Sequence, residues 1–166
     1  GGSGPRIQLP VQLRESLVGL TISQDKDATG GGVYHYVVVR DVPGVGSYRM
    51  KLRVLSNGNV AGTFERILSG TITTLTPETV IGGISGGADE PLNVLIESSG
   101  TDATTLRAKV YNAGTSEPAD WQIMAQDSTA GLQAAGSFGL GVYLSGSATN
   151  APIVGSFDEL LITELP

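Results

Sequence analysis

Residues 48–68, YRMKLRVLSNGNVAGTFERIL, contain the clearest structural pattern of the chain. In Tyr48–Leu55, apolar and basic side chains alternate with a period of two, which predicts a strand with one face buried. Asn57-Gly58 follows this run and precedes a second one, Val60–Leu68. An Asn-Gly pair between two alternating runs indicates a hairpin, since a type I′ turn needs positive φ at both central residues. We therefore predict a hairpin of two long strands.

The same alternation recurs along most of the chain. Val33–Arg40 is β-branched and aromatic, which predicts a central strand buried on both faces. Pro10 limits the segment Ile7–Leu13 to an edge strand or a bulge. Further strands are expected at Leu17–Ser23, Leu92–Glu97, Thr105–Tyr111, Trp121–Gln126, Ser137–Leu144 and Ile153–Leu165. About ten strands separated by short turns predict an all-β chain, an antiparallel two-sheet β-sandwich.

Composition excludes several classes of protein. The 166 residues carry a net charge of −6 with 10 basic side chains, which argues against nucleic-acid binding. No apolar run approaches the roughly 18 residues of a membrane helix, so no membrane insertion is expected. Without cysteine there are no disulfides, and one histidine rules out a multi-histidine zinc site. We expect residues 1–5 to be a linker or cloning remnant and residues 6–166 to form a single domain.

The second half of the chain resembles a known family. The segments that carry the resemblance are Thr104–Val110, Gly114–Trp121, Asp127–Leu140, Tyr143–Ser147, Asn150–Pro152 and Phe157–Leu160. They look like the C-terminal half of concanavalin A-like, laminin-G-like jelly-roll modules, which occur in secreted actinobacterial proteins and in phage tail proteins. The resemblance covers residues 92–165, and residues 48–60 match more loosely.

This resemblance implies two antiparallel sheets, one of them concave, with the last strand pairing near the N-terminus. Related lectins and glucanases bind carbohydrate on the concave face or the loop rim. The resemblance therefore implies a non-catalytic module that recognises surface carbohydrate at an extracellular or virion surface. The alternative is a structural module of a tail or surface fibre that contacts neighbouring protein subunits, including copies of itself.

Catalytic signatures are missing from the sequence. The paired acids of related glucanases, E-x-D-x-x-E, do not occur, and a retaining glycosidase needs two carboxylates about 5 Å apart. Asp158 and Glu159 are adjacent, so on a strand they point to opposite faces. No serine lies in a G-x-S-x-G elbow. We therefore expect the protein not to be an enzyme.

Carbohydrate-binding candidates come from the alternating polar faces and the aromatic residues. Basic residues alternate outward on two predicted strands, and exposed tyrosines stack on sugar rings. If both strands belong to the concave sheet, they form a platform for an acidic glycan; otherwise they form a solvated ladder of cross-strand pairs. The candidate residues are Arg49, Lys51, Arg53, Arg107, Lys109, Tyr111 and Tyr143.

The single tryptophan and the single histidine are assigned to the fold. Trp121 is expected in the core or at its rim. His35 is expected to share one face of its strand with Val33 and Val37, as a satisfied sheet histidine.

One loop resembles the start of a calcium site. Asp25 and Asp27 precede Gly30, which places oxygen ligands at alternate positions before a glycine turn. The closing glutamate of an EF-hand loop is replaced by Tyr36. The two readings are an Asx-type hairpin turn and a structural calcium held by Asp25, Asp27 and Asp158.

Overall fold

The computed structural model describes residues 4–166 and contains two antiparallel sheets. Its strands are β1 (Arg6–Leu13), β2 (Ser16–Gln24), β3 (Val33–Val42), β4 (Gly46–Val54), β5 (Val60–Leu68), β6 (Thr71–Thr74), β7 (Thr79–Val80), β8 (Leu92–Ser99), β9 (Thr104–Asn112), β10 (Ile123–Asp127), β11 (Gly136–Leu144) and β12 (Gly155–Glu164). The predicted β-sandwich is confirmed. None of the described residues forms a helix that could cross a membrane.

The strands divide unequally between the two sheets. Sheet A has the order β1-β11-β3-β4-β5-β6. The short strand β7 also pairs with β5, at Ala61 and Gly62, whereas β6 pairs with residues 65–68 of β5. Sheet B has the order β10-β9-β8-β2-β12. β12 pairs with β2, so the last strand does return to the N-terminal part of the chain.

The core lies between the two sheets and follows the alternation of the sequence. The core includes Met50, Leu52 and Val54 of β4 and Leu106 and Val110 of β9, and all are at most 2% exposed. Each such aliphatic side chain stabilises the fold by roughly 1.5–3 kcal/mol through its burial. The alternation therefore set which face of each strand is buried.

The hairpin between β4 and β5 forms where the sequence predicts it, but the prediction of a type I′ turn is wrong. Gly58 has a φ of +81°, whereas Asn57 is not among the residues with positive φ. The Gly58 amide donates to the Leu55 carbonyl at 2.9 Å, and the Leu55 amide donates to the Asn59 carbonyl at 2.8 Å. The loop is thus one residue longer than a type I′ turn, and only its glycine needs the left-handed conformation.

Two other local predictions can be compared with the structure. β1 is an edge strand, and its pairing with β11 is irregular between Leu9 and Leu13, on either side of Pro10, as expected. β3 is central in sheet A, but the prediction that both its faces are buried is wrong. Tyr34, Tyr36 and Val38 are only half-buried, because no third layer covers the outer face of sheet A.

A buried arginine joins the two sheets at one end of the sandwich. Arg40 is 0% exposed and donates to the Arg14 carbonyl at 2.6 Å, the Thr104 hydroxyl at 2.5 Å and the Gly100 carbonyl at 2.9 Å. Its φ of +48° lies where the pairing of β3 with β4 and β11 becomes irregular. This irregularity turns the Arg40 side chain toward sheet B.

The predicted linker is only partly described. Gly1 to Ser3 lie outside the described residues, and β1 begins at Arg6. The boundary at residue 5 and the single domain over residues 6–166 stay predictions.

Candidate functional site

The outer face of sheet A contains a trench whose floor is formed by two glycines of β11. Phe138 and Leu140 of β11 point into the core, so Gly139 and Gly141 occupy the outward positions between them. Gly139 pairs with Gln8 on one side and Val38 on the other. Since neighbouring strands lie about 4.8 Å apart, two missing side chains on a central strand leave a trench about 10 Å wide.

Raised elements close this trench around its floor. Arg6 and Gln8 of β1 form one wall, and Tyr36 and Arg49 belong to the opposite side. The β3–β4 loop at residues 42–46 and the β5–β6 turn complete the lining. The trench is open to solvent above its floor and has a volume of about 620 Å³. This size lies within the range of small-molecule sites, which are concave and carry few polar groups.

The hydrogen bonds at one end of the trench hold its wall in place. The Gln8 side-chain amide donates to an Asp41 carboxylate oxygen at 3.1 Å and to the Ser137 hydroxyl at 3.0 Å. This end of the trench therefore has a fixed polar edge, tied to the irregularity at residues 39–42.

Beside the trench runs a ladder of ion pairs, which we call the outer ladder. Arg49 Nη2 lies 2.6 Å from Glu65 Oε2, and Lys51 Nζ lies 3.1 Å from Glu65 Oε1. Lys51 and Arg53 each lie 3.1 Å from the Glu78 carboxylate. Burial alone would lower the pKa of Lys51, but its hydrogen bonds to Glu78 and Glu65 outweigh burial and raise that pKa.

Glu78 titrates in the opposite sense. Burial alone would raise the pKa of Glu78, but the hydrogen bonds from Lys51 and Arg53 outweigh burial and lower that pKa. Lys51 and Glu78 are therefore both charged at neutral pH.

Tyrosines line the same face. The Arg49 guanidinium lies 4.2 Å from the centre of the Tyr36 ring, and burial raises the pKa of the Tyr36 hydroxyl. Farther along the sheet, Tyr143 packs edge-on against Tyr34 with ring centres 5.4 Å apart. The Arg53 guanidinium lies 5.3 Å from the Tyr34 ring centre. Each of these strand positions thus pairs an aromatic ring with a cation or another ring.

The structure separates the carbohydrate-binding candidates into two groups on opposite faces. Arg49, Lys51, Arg53 and Tyr143 lie on the outer face of sheet A, whereas Arg107, Lys109 and Tyr111 lie on the outer face of sheet B. The condition that both basic strands share one sheet is therefore not met, and no single platform contains all seven residues.

On sheet B the ladder of cross-strand pairs is present at Arg107, which forms an ion pair with Glu97 on β8. Lys109 instead lies 2.7 Å from Glu117, which belongs to the loop between β9 and β10. Tyr111 stands opposite Asn93. This half of the candidates forms a ladder that is only partly solvated, since Lys109 and Glu97 are 8% and 9% exposed.

Trp121 lies outside the core, so its expected position is wrong. It precedes β10 and is half-buried, with the Arg107 guanidinium 5.0 Å and the Lys109 ammonium 5.1 Å from its ring. Both cations point outward from β9, so the ring covers the outer face of sheet B. Cation–π contacts of this kind contribute about 0.5–1 kcal/mol at exposed sites.

His35 faces the core together with Val33 and Val37, as expected. Its Nε2 lies 3.3 Å from Gln24 Oε1, but Nδ1 is buried without a hydrogen-bond partner among the described residues, so the prediction of a satisfied histidine is wrong for this nitrogen. Burial lowers the pKa of His35 to about 4. The imidazole is therefore neutral at pH 7 and does not reach the trench.

The three calcium candidates do not come together. Asp25 accepts from the Val154 amide at 2.7 Å, Asp27 from the Ala88 amide at 2.9 Å, and Asp158 from the Glu159 amide at 2.8 Å. Over residues 4–166, no three acidic or histidine side chains are grouped so that they could hold a metal ion. The bonds of Asp25 and Asp27 join residues 129 and 61 positions apart, so they are long-range contacts and not the local bonds of the Asx-type turn that the sequence offers as the alternative.

The trench was not found from the sequence, although a signal exists. In Phe138–Val142, glycine occupies both outward positions of an otherwise apolar strand. Glycine inside a strand marks a close backbone approach or an open space above the sheet. Only the pairing with Arg6, Gln8 and Tyr36 shows that the space is open.

Comparisons with known proteins support the fold at low sequence identity. No family model matches the chain, and a search of curated proteins finds no match. Among solved structures, the carbohydrate-binding module CBM66 from Bacillus subtilis is similar with a TM-score of 0.61 at 17% identity, over 98% of this chain and 83% of that chain. The CBM2 module of the evolved Dit of Lactobacillus casei BL23 phage J-1 gives 0.55 at 10% identity, over 95% and 66%. A single-substitution variant of human galectin-16 gives 0.51 at 10% identity, over 96% and 94%.

Enzymes share the architecture as well, including an alginate lyase from Aplysia kurodai. At these identities the similarity shows a jelly-roll β-sandwich. The function has to be inferred from the geometry of the site.

Proposed function

We propose that this protein is a non-catalytic recognition module that binds carbohydrate in the trench on sheet A. The observation that carries the proposal is the pair of outward glycines on β11, which opens a site of about 620 Å³ between Arg6, Gln8 and Tyr36. Sugar rings are recognised by an aromatic side chain together with a few fixed hydrogen-bonding groups. Tyr36, Arg49 and the Gln8–Asp41 pair supply these elements.

The titration of the outer ladder favours binding over catalysis. A general acid or base works best with a pKa near the operating pH. On this face the pKa values of Tyr36 and Lys51 are raised and that of Glu78 is lowered, which moves each away from neutrality. Tyr36 and Lys51 therefore hold their protons at pH 7, and Glu78 stays ionised.

Two of the similar structures agree with this role. One is a carbohydrate-binding module and another is a CBM2 module of a phage Dit. Together with the resemblance of residues 92–165, they support placement at an extracellular or virion surface, with a cell-surface glycan as the partner.

The test is a glycan-array screen followed by titration of two matched variants. Gly141→Val fills the trench, because a Cβ at this position lies 3.3 Å from Arg6 Cγ and 3.7 Å from the Tyr36 ring. Gly19→Val is the control on the outer face of sheet B, where a Cβ lies 3.6 Å from Leu95 Cδ1. Neither glycine has a positive φ, so the backbone at both positions accepts valine. At position 141 the Arg6 side chain, whose Cγ lies 3.3 Å from the added Cβ, must shift by a few tenths of an ångström.

We expect Gly141→Val to weaken binding at least about tenfold, ~1.4 kcal/mol, and Gly19→Val to leave affinity unchanged. Amide resonances of β11 and Tyr36 should shift on titration of the unmodified protein. Equal binding by both variants would place the site elsewhere. Self-association in light scattering without any glycan signal would favour the alternative, an assembly module of a tail or surface fibre.

A further inference from the structure

We infer that the trench selects glycans that carry an anionic group, a carboxylate or a phosphate; this inference rests on the proposed function. The first observation is an uneven distribution of charge. Over the described residues, the outer face of sheet A and the trench hold four of the ten basic residues but three of the sixteen acidic ones. The basic residues are Arg6, Arg49, Lys51 and Arg53, and the acidic ones are Asp41, Glu65 and Glu78.

This face therefore has a net charge of +1 in a chain whose net charge is −6, which leaves −7 for the remainder. A locally basic surface on an acidic protein attracts anions and directs their approach.

Arg49 supplies a fixed donor beside the floor. Its side chain is 6% exposed, its Nε donates to Glu65 Oε2 at 2.6 Å, its Nη2 lies 2.6 Å from the same oxygen, and Tyr36 stacks on the guanidinium. Nη1 makes no hydrogen bond to another side chain or carbonyl among residues 4–166. A guanidinium held on two sides loses little entropy when it binds a third group, and its planar fork fits carboxylate and phosphate.

Arg6 supplies an accessible cation on the opposite wall. It is exposed, lines the trench, and takes part in none of the ion pairs among the described residues. The carboxylate in the lining, Asp41, lies beyond Gln8 and accepts its amide. The trench is thus polarised along β1, and an anionic substituent is expected at the Arg6 end.

Paired ligands test this inference. Oligogalacturonate is compared with its methyl ester, sialyllactose with lactose, and mannose 6-phosphate with mannose, by calorimetry at about 20 mM and about 300 mM NaCl, where the screening length differs several-fold. The first two pairs report carboxylate and the third reports phosphate. At low salt we expect at least one acidic member to bind more than about fivefold tighter than its neutral counterpart, with the preference reduced at high salt.

Arg6→Gln should reduce that preference by roughly two- to fivefold, the range for an exposed charge contact. Arg14→Gln removes the same charge from an exposed residue outside the trench and should leave it unchanged. Equal affinity of every acidic and neutral pair, independent of salt, overturns the inference and leaves the proposed function intact. Absence of any binding that Gly141→Val alters overturns both.

Discussion

Because His35 is buried, we predict that the protein loses stability as the pH falls from 6.5 to 4. In the unfolded chain the imidazole has the ordinary pKa of 6.5, whereas burial lowers the pKa in the folded protein to about 4. Below pH 6.5 the unfolded chain therefore binds a proton that the folded protein does not. Stability is fully present above pH 6.5 and falls as the pH approaches 4.

The size of the effect follows from the two pKa values. A difference of about 2.5 units corresponds to about 3 kcal/mol when both states are compared at pH 4, and to about 2 kcal/mol at pH 5. His35 is 1% exposed, so solvent screening does not reduce this value. The carboxylates with lowered pKa, Glu78 and Asp127, lose their contribution at lower pH, below their ordinary values of 4.5 and 3.8.

The assay is urea denaturation of the unmodified protein and of His35→Gln at pH 7.5 and pH 5. Glutamine retains hydrogen-bonding capacity toward Gln24 and does not titrate. We expect the unmodified protein to lose about 2 kcal/mol between the two pH values and His35→Gln to lose far less. Identical pH dependence in both proteins would refute the reasoning. It would mean that Glu90, which lines the same small cavity as His35, or a bound water keeps the folded pKa near 6.5.

Two further predictions concern the two outer faces. Glu65→Gln leaves the buried Arg49 without its carboxylate and should lower the free energy of unfolding, measured by urea denaturation, by about 3–5 kcal/mol. Glu78 is 28% exposed, so Glu78→Gln should lower it by about 1 kcal/mol or less. Equal losses for the two variants would contradict the burial of the Arg49–Glu65 pair. Trp121 is the single tryptophan and lies on the outer face of sheet B. Tryptophan fluorescence should therefore not change when a ligand fills the trench on sheet A. A ligand-dependent shift of the fluorescence would place the site on sheet B.

Much of the fold could be predicted from local patterns, because a strand alternates with a period of two wherever one face is buried. The hairpin of β4 and β5, the inward position of His35 and the irregular edge strand at Pro10 all follow from residues close in sequence. The predicted turn type at Asn57-Gly58 and the predicted position of Trp121 were wrong. Loop length and the covering of an outer face depend on how the strands are paired, and local alternation does not contain that information.

The sequence by itself determined which side chains of each strand face inward. The tertiary structure alone decided which outward faces lie together. Arg49 and Arg107 have the same local pattern, yet β4 belongs to sheet A and β9 to sheet B, so their side chains point away from each other. Gly139 and Gly141 become a trench only because β1 and β3 pair on either side of β11. Alternation is a property of neighbours in the chain, whereas sheet membership depends on contacts between residues far apart in sequence.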